Sequence, residues 1–400
     1  MSINNRYGTA LSIYINYIVQ GVCLIIIIQN IDVLATALNT DAQGIGFVAS
    51  GYGLGKFLVI FISGILSDKF GRKPFVLLGV FSYIVFLLGI LASPNIAIAF
   101  AFAVIGGMGN SFLDTGSSPA LMECFPKTPG TANVLIKAFI SSGNFILPFM
   151  VNYFLNNGYW YGWTFIIFTI LLAINAFFIC LQKYPATLSL GADKHVQEQL
   201  APYLIGKPKM HLEGICLILM GFTTTATFLI IAQWIPKIAM QTIGMDPTAA
   251  RELVSLYSVG SLLSVFVTAF LVQKLVKPVT FLIVYPMISS ILLCAFLLFQ
   301  TDLMCKILAF GMGFSAAGGV LQLAFITMAQ LFPKRKGSVL GIVYTMVALA
   351  VFIVPIIVPT LAKININYVV AFNLSTALAC VVLALIINIR FRKTVNMRLL

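Results

Sequence analysis

Acidic side chains are scarce in this chain. Asp and Glu number 11 in 400 residues, and all charged residues together make up 9%, where a soluble domain carries about 25%. With 60% hydrophobic residues, a chain so poor in charge has no way to hide its apolar surface from water. Histidine is nearly absent (His195 and His211), and the seven cysteines (Cys23, Cys124, Cys180, Cys216, Cys294, Cys305, Cys380) show no C-x-x-C spacing. Neither a metal site nor a disulfide framework is indicated, and the cysteines read as small apolar packing. No G-x-x-x-x-G-K-[ST] loop occurs, which excludes ATP as the energy source; no cofactor is expected. Clustered acids, histidines or cysteines on facing segments, which an intramembrane enzyme needs, are missing too, so the chain does not read as an enzyme. No cleavable signal peptide is expected, because the first apolar run continues at full spanning length. The formal charge of +13 and a pI near 9.5 do not imply nucleic acid, since the cations sit between apolar runs and form no continuous basic face.

What the chain has is long hydrophobic runs. Twelve are expected as helices, at 12–35, 44–66, 75–92, 96–121, 131–155, 163–181, 212–236, 250–272, 278–299, 303–329, 337–361 and 366–389. A rise of about 1.5 Å per residue lets such runs cross a hydrocarbon core of roughly 30 Å. The expected fold is therefore all-α, twelve transmembrane helices in a lipid bilayer. With the N-terminus placed in the cytoplasm, inside segments hold Arg6, Lys69, Arg72, Lys73, Lys127, Lys183, Lys194, Lys207, Lys209, Lys274, Lys277, Lys334, Arg335, Lys336, Arg390, Arg392, Lys393 and Arg398, against Lys237, Arg251, Lys306 and Lys363 outside. This bias puts both termini and the Gln182 to His211 loop on the cytoplasmic side. The loop, with mixed charges and three prolines, divides the chain into 1–181, a linker 182–211, and 212–400.

The two parts are repeats. Phe125, Pro126, Lys127, Gly130 and Pro148 recur 207 positions later as Phe332, Pro333, Lys334, Gly337 and Pro355. IIIIQNI at Ile25 to Ile31 returns as LIIAQWI at Leu229 to Ile235, setting Gln29 opposite Gln233. Ser50, Tyr52 and Gly55 match Ser255, Tyr257 and Gly260, and Lys73-Pro74 matches Lys277-Pro278. The repetition makes the two parts a pair of pseudo-symmetric six-helix bundles.

Between the second and third runs the chain reads GILSDKFGRKP, with Gly64, Leu66, Asp68, Lys69, Gly71, Arg72 and Lys73 fitting G-x-L-x-D-[KR]-x-G-[KR]-[KR]. Gly64 is expected to end the helix and let its neighbour approach, and Asp68 to pair with Arg72 and Lys73. Glu123 is expected to close a charge network at the same membrane face. The loop resembles the signature of the major facilitator superfamily, and the resemblance covers the whole chain. It implies alternating access around a central cavity, with Gly64, Asp68, Gly71, Arg72, Lys73 and Glu123 controlling conformation.

A charge within hydrocarbon costs at least about 2.5–3.5 kcal/mol and must face a cavity or a partner. Four such residues stand out: Asp32, Lys56, Asp114 and Lys137. Leu113 to Pro119 reads LDTGSSP, which resembles the L-E-T-A-x-N-P segment of the fucose–proton symporter branch. The resemblance implies that Asp114 is a protonation site. Asp32-Val33-Leu34 is similar to the D-[IL]-L stretch of that branch's first helix, which makes Asp32 a second proton candidate. Ser118 replaces that branch's asparagine, so sugar specificity does not transfer. More widely, LDTG-x-x-PALMECFPK is similar to a branch of bacterial inner-membrane facilitators whose substrates are mostly unassigned.

Lys137 is a candidate counter-charge for Asp114; the alternative is a permanent ion pair that only joins the fourth and fifth helices. Lys56, flanked by Gly51, Gly53 and Gly55, suits a cavity for an anionic or hydroxyl-rich solute; the alternative is a lysine that pairs with Asp32 or snorkels along the glycines. Gln29, Asn30, Asn110, Asn144, Gln233, Tyr257, Gln322 and Tyr344 are candidate neutral donors and acceptors, or bridges between helices. Thr223, Thr224 and Thr225 should bond their own backbone, and Glu213 should pair at the interface with Lys209 or His211. The expected function is secondary transport of a small polar organic solute, a hydroxylated acid or sugar, by proton symport across the cytoplasmic membrane, in a monomer without nucleic-acid partners. The alternative is an efflux antiporter for lipophilic compounds. Against it, Ser142 to Met150 (SGNFILPFM) lacks the G-P-x-x-G-G cluster of the superfamily's drug antiporters.

Overall fold

The computed structural model describes residues 3–125, 129–182, 184, 206, 208–274, 278–332 and 336–395. Most of the 182–211 linker, with His195, lies outside the described residues, as do Pro126-Lys127, Lys277 and Pro333 to Arg335. Among the described residues, twelve helical spans are long and apolar enough to cross a membrane. In chain order the helices are α1 (Ile3–Gln29), α2 (Ile31–Ala37), α3 (Ala42–Phe70), α4 (Arg72–Ala92), α5 (Ile96–Cys124), α6 (Pro129–Asn156) and α7 (Trp163–Leu181). Then follow α8 (Ile215–Ile243), α9 (Pro247–Lys274), α10 (Pro278–Leu298), α11 (Asp302–Met312), α12 (Val320–Leu331), α13 (Lys336–Ile364) and α14 (Ile366–Thr394).

Side-chain caps fix several starts. Asp41 accepts from the amides of Gln43 and Gly44, each at 3.0 Å, to open α3, and Asn95 accepts from Ile98 at 3.0 Å to open α5. Gly71, at φ +93°, makes the turn from α3 to α4, a conformation open to glycine at no steric cost.

Two expected runs are not single helices. The first bends at Asn30, whose Nδ2 donates to the Ile26 carbonyl of its own helix at 2.9 Å. The tenth breaks into α11, a π turn at Gly313–Ala317 and α12, with Gly319 at φ +144° between them. Paired glycines leave the chain free to turn there, and no pattern of apolar residues reports it.

The repeat in sequence is a repeat in packing. α3 and α5 cross so closely that a Cβ on Gly55 would overlap the Val104 carbonyl and one on Gly107 the Tyr52 carbonyl. In the second half α9 and α11 cross alike, Gly260 against Phe310 and Gly313 against the Tyr257 carbonyl. Small residues win at such crossings because bilayer helices pack by close approach rather than by hydrophobic exclusion.

The halves meet along α3 with α13 and α6 with α9. Their polar contacts cluster toward the end distal from the chain termini. There Lys363 lies 3.6 Å from Asp41 and Lys237 3.1 Å from Asp32, and Gln43 donates to Thr360 at 3.2 Å. Asn152 donates to the Thr248 carbonyl and accepts from Arg251. Nearer the middle, Ser255 donates to the Phe145 carbonyl, Ser141 and Ser261 share a bond, and Gln233 donates to the Leu24 carbonyl. Toward the termini, Phe57, Leu58, Phe61, Ile62 and Ile65 of α3 are exposed. The polar contacts thus close the distal end; on the termini side the halves are joined by fewer polar contacts among the described residues, and the space between them there, narrowed where a Cβ on Gly341 of α13 would lie 3.7 Å from the Phe61 ring, is the cleft. On the outside, exposed Phe81, Phe177 and Ile291 present an apolar belt, and exposed Tyr159, Trp160 and Trp163 cluster at the distal rim, where amphipathic rings suit a membrane interface.

Candidate functional site

Lys56 stands at the middle of α3, its Nζ 3.1 Å from Asp114 Oδ2 on α5. Gln20 of α1 donates to the other carboxylate oxygen at 3.0 Å. The glycine crossing creates this pair: a Cβ on Gly107 would lie 2.8 Å from the Lys56 amide nitrogen, and Ser111 Oγ donates to the Lys56 carbonyl at 3.0 Å. With the two backbones in contact, both side chains must leave the crossing on its cleft side. Their side chains are 11% and 24% exposed, so the carboxylate keeps a path to water. The Asp114 charge bears on four tyrosines from four helices, Tyr17, Tyr52, Tyr83 and Tyr344. Behind the pair, Asn110 donates to the Tyr52 hydroxyl, which bonds Tyr83, each at 2.8 Å.

Across the cleft, Lys137 of α6 reaches the second half, its ammonium 5.1 Å from the Phe228 ring centre on α8. Tyr344 of α13 packs on Phe325 of α12, ring centres 4.5 Å apart and tilted by 32°. Its partial exposure, together with the reach of the Asp114 charge, places it on the cleft. Gln322, one turn before Phe325, is exposed. Tyr257 is buried and donates to the Phe228 carbonyl at 3.2 Å. Gln29 is buried with neither amide atom partnered among the described residues, and the same holds for the carbonyl oxygens of Asn144 and Gln233.

Several expectations change. The counter-charge of Asp114 is Lys56, not Lys137, because the α3–α5 crossing is tighter than the α5–α6 contact. Lys56 does not pair with Asp32, which lies at the distal end on Lys237. Asn30 donates to its own helix and Asn110 to the Tyr52 hydroxyl, and the carbonyl oxygen of each is left without a partner among the described residues. Gly64 neither ends α3 nor sits at a close approach: the helix continues to Phe70, and a Cβ there would find only Thr115, 3.9 Å away. Lys73 bonds the carbonyls of Cys180 and Gln182 rather than Asp68. Glu213 pairs with Arg390 at 2.9 Å and takes the Lys209 amide, not its ammonium.

At the termini-side corner, Arg72 reaches Asp68, Ser67 and, at 3.4 Å, Glu123. The three threonines at 223–225 bond their own helix backbone. Gln20 went unnoticed in the sequence, where its only signal was a single amide in an apolar run. Of the four tyrosines, Tyr344 was legible as a candidate and Tyr52 as part of the repeat, whereas Tyr17 and Tyr83 carried no local pattern.

A family model described as Major Facilitator Superfamily matches residues 9–355 and 214–396. The chain is 39% identical over 396 residues to the inner membrane transport protein YdiN of Escherichia coli, covering 98% of this chain and 93% of that protein. It is also 39% identical over 397 residues to the inner membrane transport protein YdiM of the same organism, covering 98% and 96%. Among solved structures, a crystal structure of a D-xylose–proton symporter superposes with a TM-score of 0.73 at 15% identity, covering 95% of this chain and 97% of that one.

Proposed function

The chain belongs to the major facilitator superfamily of membrane transporters, and from that membership we propose a proton symporter for a small polar organic solute, a hydroxylated acid or sugar. Its membrane is the bacterial inner membrane, as the names of YdiN and YdiM suggest. The excess of cations on the termini side supports cytoplasmic termini, which makes the cleft an inward-facing one. Residues 1–181 and 212–400 act as the two rocking halves.

The observation that carries the reading is the Lys56–Asp114 pair at the head of the cleft. A carboxylate held by a cation stays charged, whereas the same carboxyl with its cation drawn elsewhere favours the neutral form in a low-dielectric site. Solute that competes for Lys56 therefore couples its own entry to proton uptake on Asp114. Asp32, exposed and held by Lys237 at the closed end, acts in closure. Asp68, Arg72 and Glu123 at the far corner govern cycling.

The test is uptake in proteoliposomes with an imposed pH gradient, using solutes first selected by thermal shift from sugars and hydroxy acids. Wild type should accumulate the solute, and Asp114→Asn should exchange it without accumulating it. Accumulation by Asp114→Asn would remove Asp114 from the coupling role.

A further inference from the structure

Charge along the cleft does not cancel. Lys56 is matched by Asp114. Among the described residues, Lys137 has no ion pair; its neighbour is the Phe228 ring, and the charge that bears on it is another cation, Lys56. One positive charge is left over at the cleft head, in a site where an unpaired charge is costly. A cation–π contact offsets only part of such a cost. A protein that keeps a lysine there gains when an anion arrives.

We infer that the solute is a small organic acid bearing a single carboxylate, and that Lys137 is its anchoring cation. The inference rests on the symporter reading and narrows it from acid or sugar to acid. Asn144 lies two turns along the same face of α6, and its carbonyl oxygen, with Gln29 and the Gln233 carbonyl oxygen, stands without a protein partner. Those groups suit hydroxyls on the acid. Phe228, Phe325 and Tyr344 give its carbon skeleton an aromatic wall.

The charge count also fixes stoichiometry. The groups around Asp114 are Lys56 on α3, Gln20 and Tyr17 on α1, Tyr52 on α3, Tyr83 on α4 and Tyr344 on α13, with Lys137 on α6 beyond Lys56. The lysines are the cations and Asp114 the single anion of this set. When one carboxylate binds Lys137 and Lys56 and one proton moves onto Asp114, the net charge of the site is unchanged. Loaded and empty carriers then cross with equal charge, so transport is one proton per acid and electroneutral.

Three forms of the full-length protein decide this: wild type, Lys137→Met and Lys137→Arg. Each is measured by thermal shift with lactate, gluconate and acetate, against propane-1,2-diol, sorbitol and chloride at equal ionic strength. Wild type should be stabilised by a carboxylate and not by its neutral counterpart. Lys137→Met should lose that affinity about ten- to a hundredfold, and Lys137→Arg should retain it. Stabilisation by the polyols alone, by no carboxylate, or equally in Lys137→Met overturns the inference; the first of these leaves the symporter reading intact. In proteoliposomes, uptake of the stabilising acid should follow an imposed pH gradient and ignore an imposed membrane potential. Carboxylate binding through Lys137 without proton-driven uptake would instead sink the symporter reading while keeping the ligand class. A response to potential would overturn the stoichiometry.

Discussion

Removing either member of the Lys56–Asp114 pair should destabilise the protein, and the two removals should not add. At 3.1 Å and an effective dielectric near 20, the attraction is on the order of 5 kcal/mol. Desolvation of the two ions offsets most of it, so the pair contributes little net stability. Deleting one partner is another matter. A fully buried ion left alone costs about 3–5 kcal/mol; with side chains 11% and 24% exposed, water from the cleft reduces that to about 2–3 kcal/mol. The two single variants should also differ. Asp114→Asn leaves Lys56 facing Lys137, two cations with no anion, whereas Lys56→Met leaves a carboxyl that can neutralise itself with a proton. Asp114→Asn should therefore be the more damaging.

For a chain of this length each kcal/mol moves Tm by roughly 1–2 °C, by extension of the scaling for smaller domains. The singles should thus fall by about 2–6 °C in detergent, and the double variant Lys56→Met/Asp114→Asn should fall no further than the worse single. The coupling from the cycle should be about 2 kcal/mol. A double variant whose loss equals the sum of the two singles would refute the reasoning, since it would mean that the groups do not feel each other.

Four further outcomes follow from the geometry. Gly107→Leu should abolish folded expression, because even its Cβ would overlap the Tyr52 carbonyl; size-exclusion chromatography of the solubilised protein reads this directly. Asp68→Asn should leave equilibrium solute binding near wild type while slowing transport, since Asp68 sits with Arg72 at the termini-side corner; calorimetry beside uptake kinetics separates the two. Arg72→Ala, which leaves the buried Glu123 without its guanidinium, should cost about 3 kcal/mol, measured as Tm, and Glu123→Gln should restore part of it. Outside the membrane, the Asp41 carboxyl is held below its ordinary range by the Gly44 amide and, further, by the Gln43 amide and Lys363. Its contribution is therefore complete above the unfolded value of about 3.9 and is lost as pH falls through the lower folded value. A carboxyl carbon NMR titration should find a midpoint below about 3.9, and Lys363→Ala should raise it.

The sequence by itself determined the membrane class, the twelve crossings, the repeat and the family, because each is written in features with long range along the chain. Twenty apolar residues in a row have one stable environment, and a motif that recurs at a near-constant displacement of 204–207 positions has one simple cause. It also named Asp114, Lys56 and Lys137 as the costly charges, since any ionisable group within an apolar run must be accounted for. What it did not contain was who pairs with whom. That depends on two backbones touching at Gly55 and Gly107, which moved the Asp114 partner from Lys137 to Lys56 and left Lys137 as the spare cation. The break between α11 and α12, the recruitment of Gln20 and the closed distal end are likewise products of tertiary packing. They arise where helices distant in sequence meet, and an interaction set by the distance between two helices leaves no trace in the pattern of either one alone.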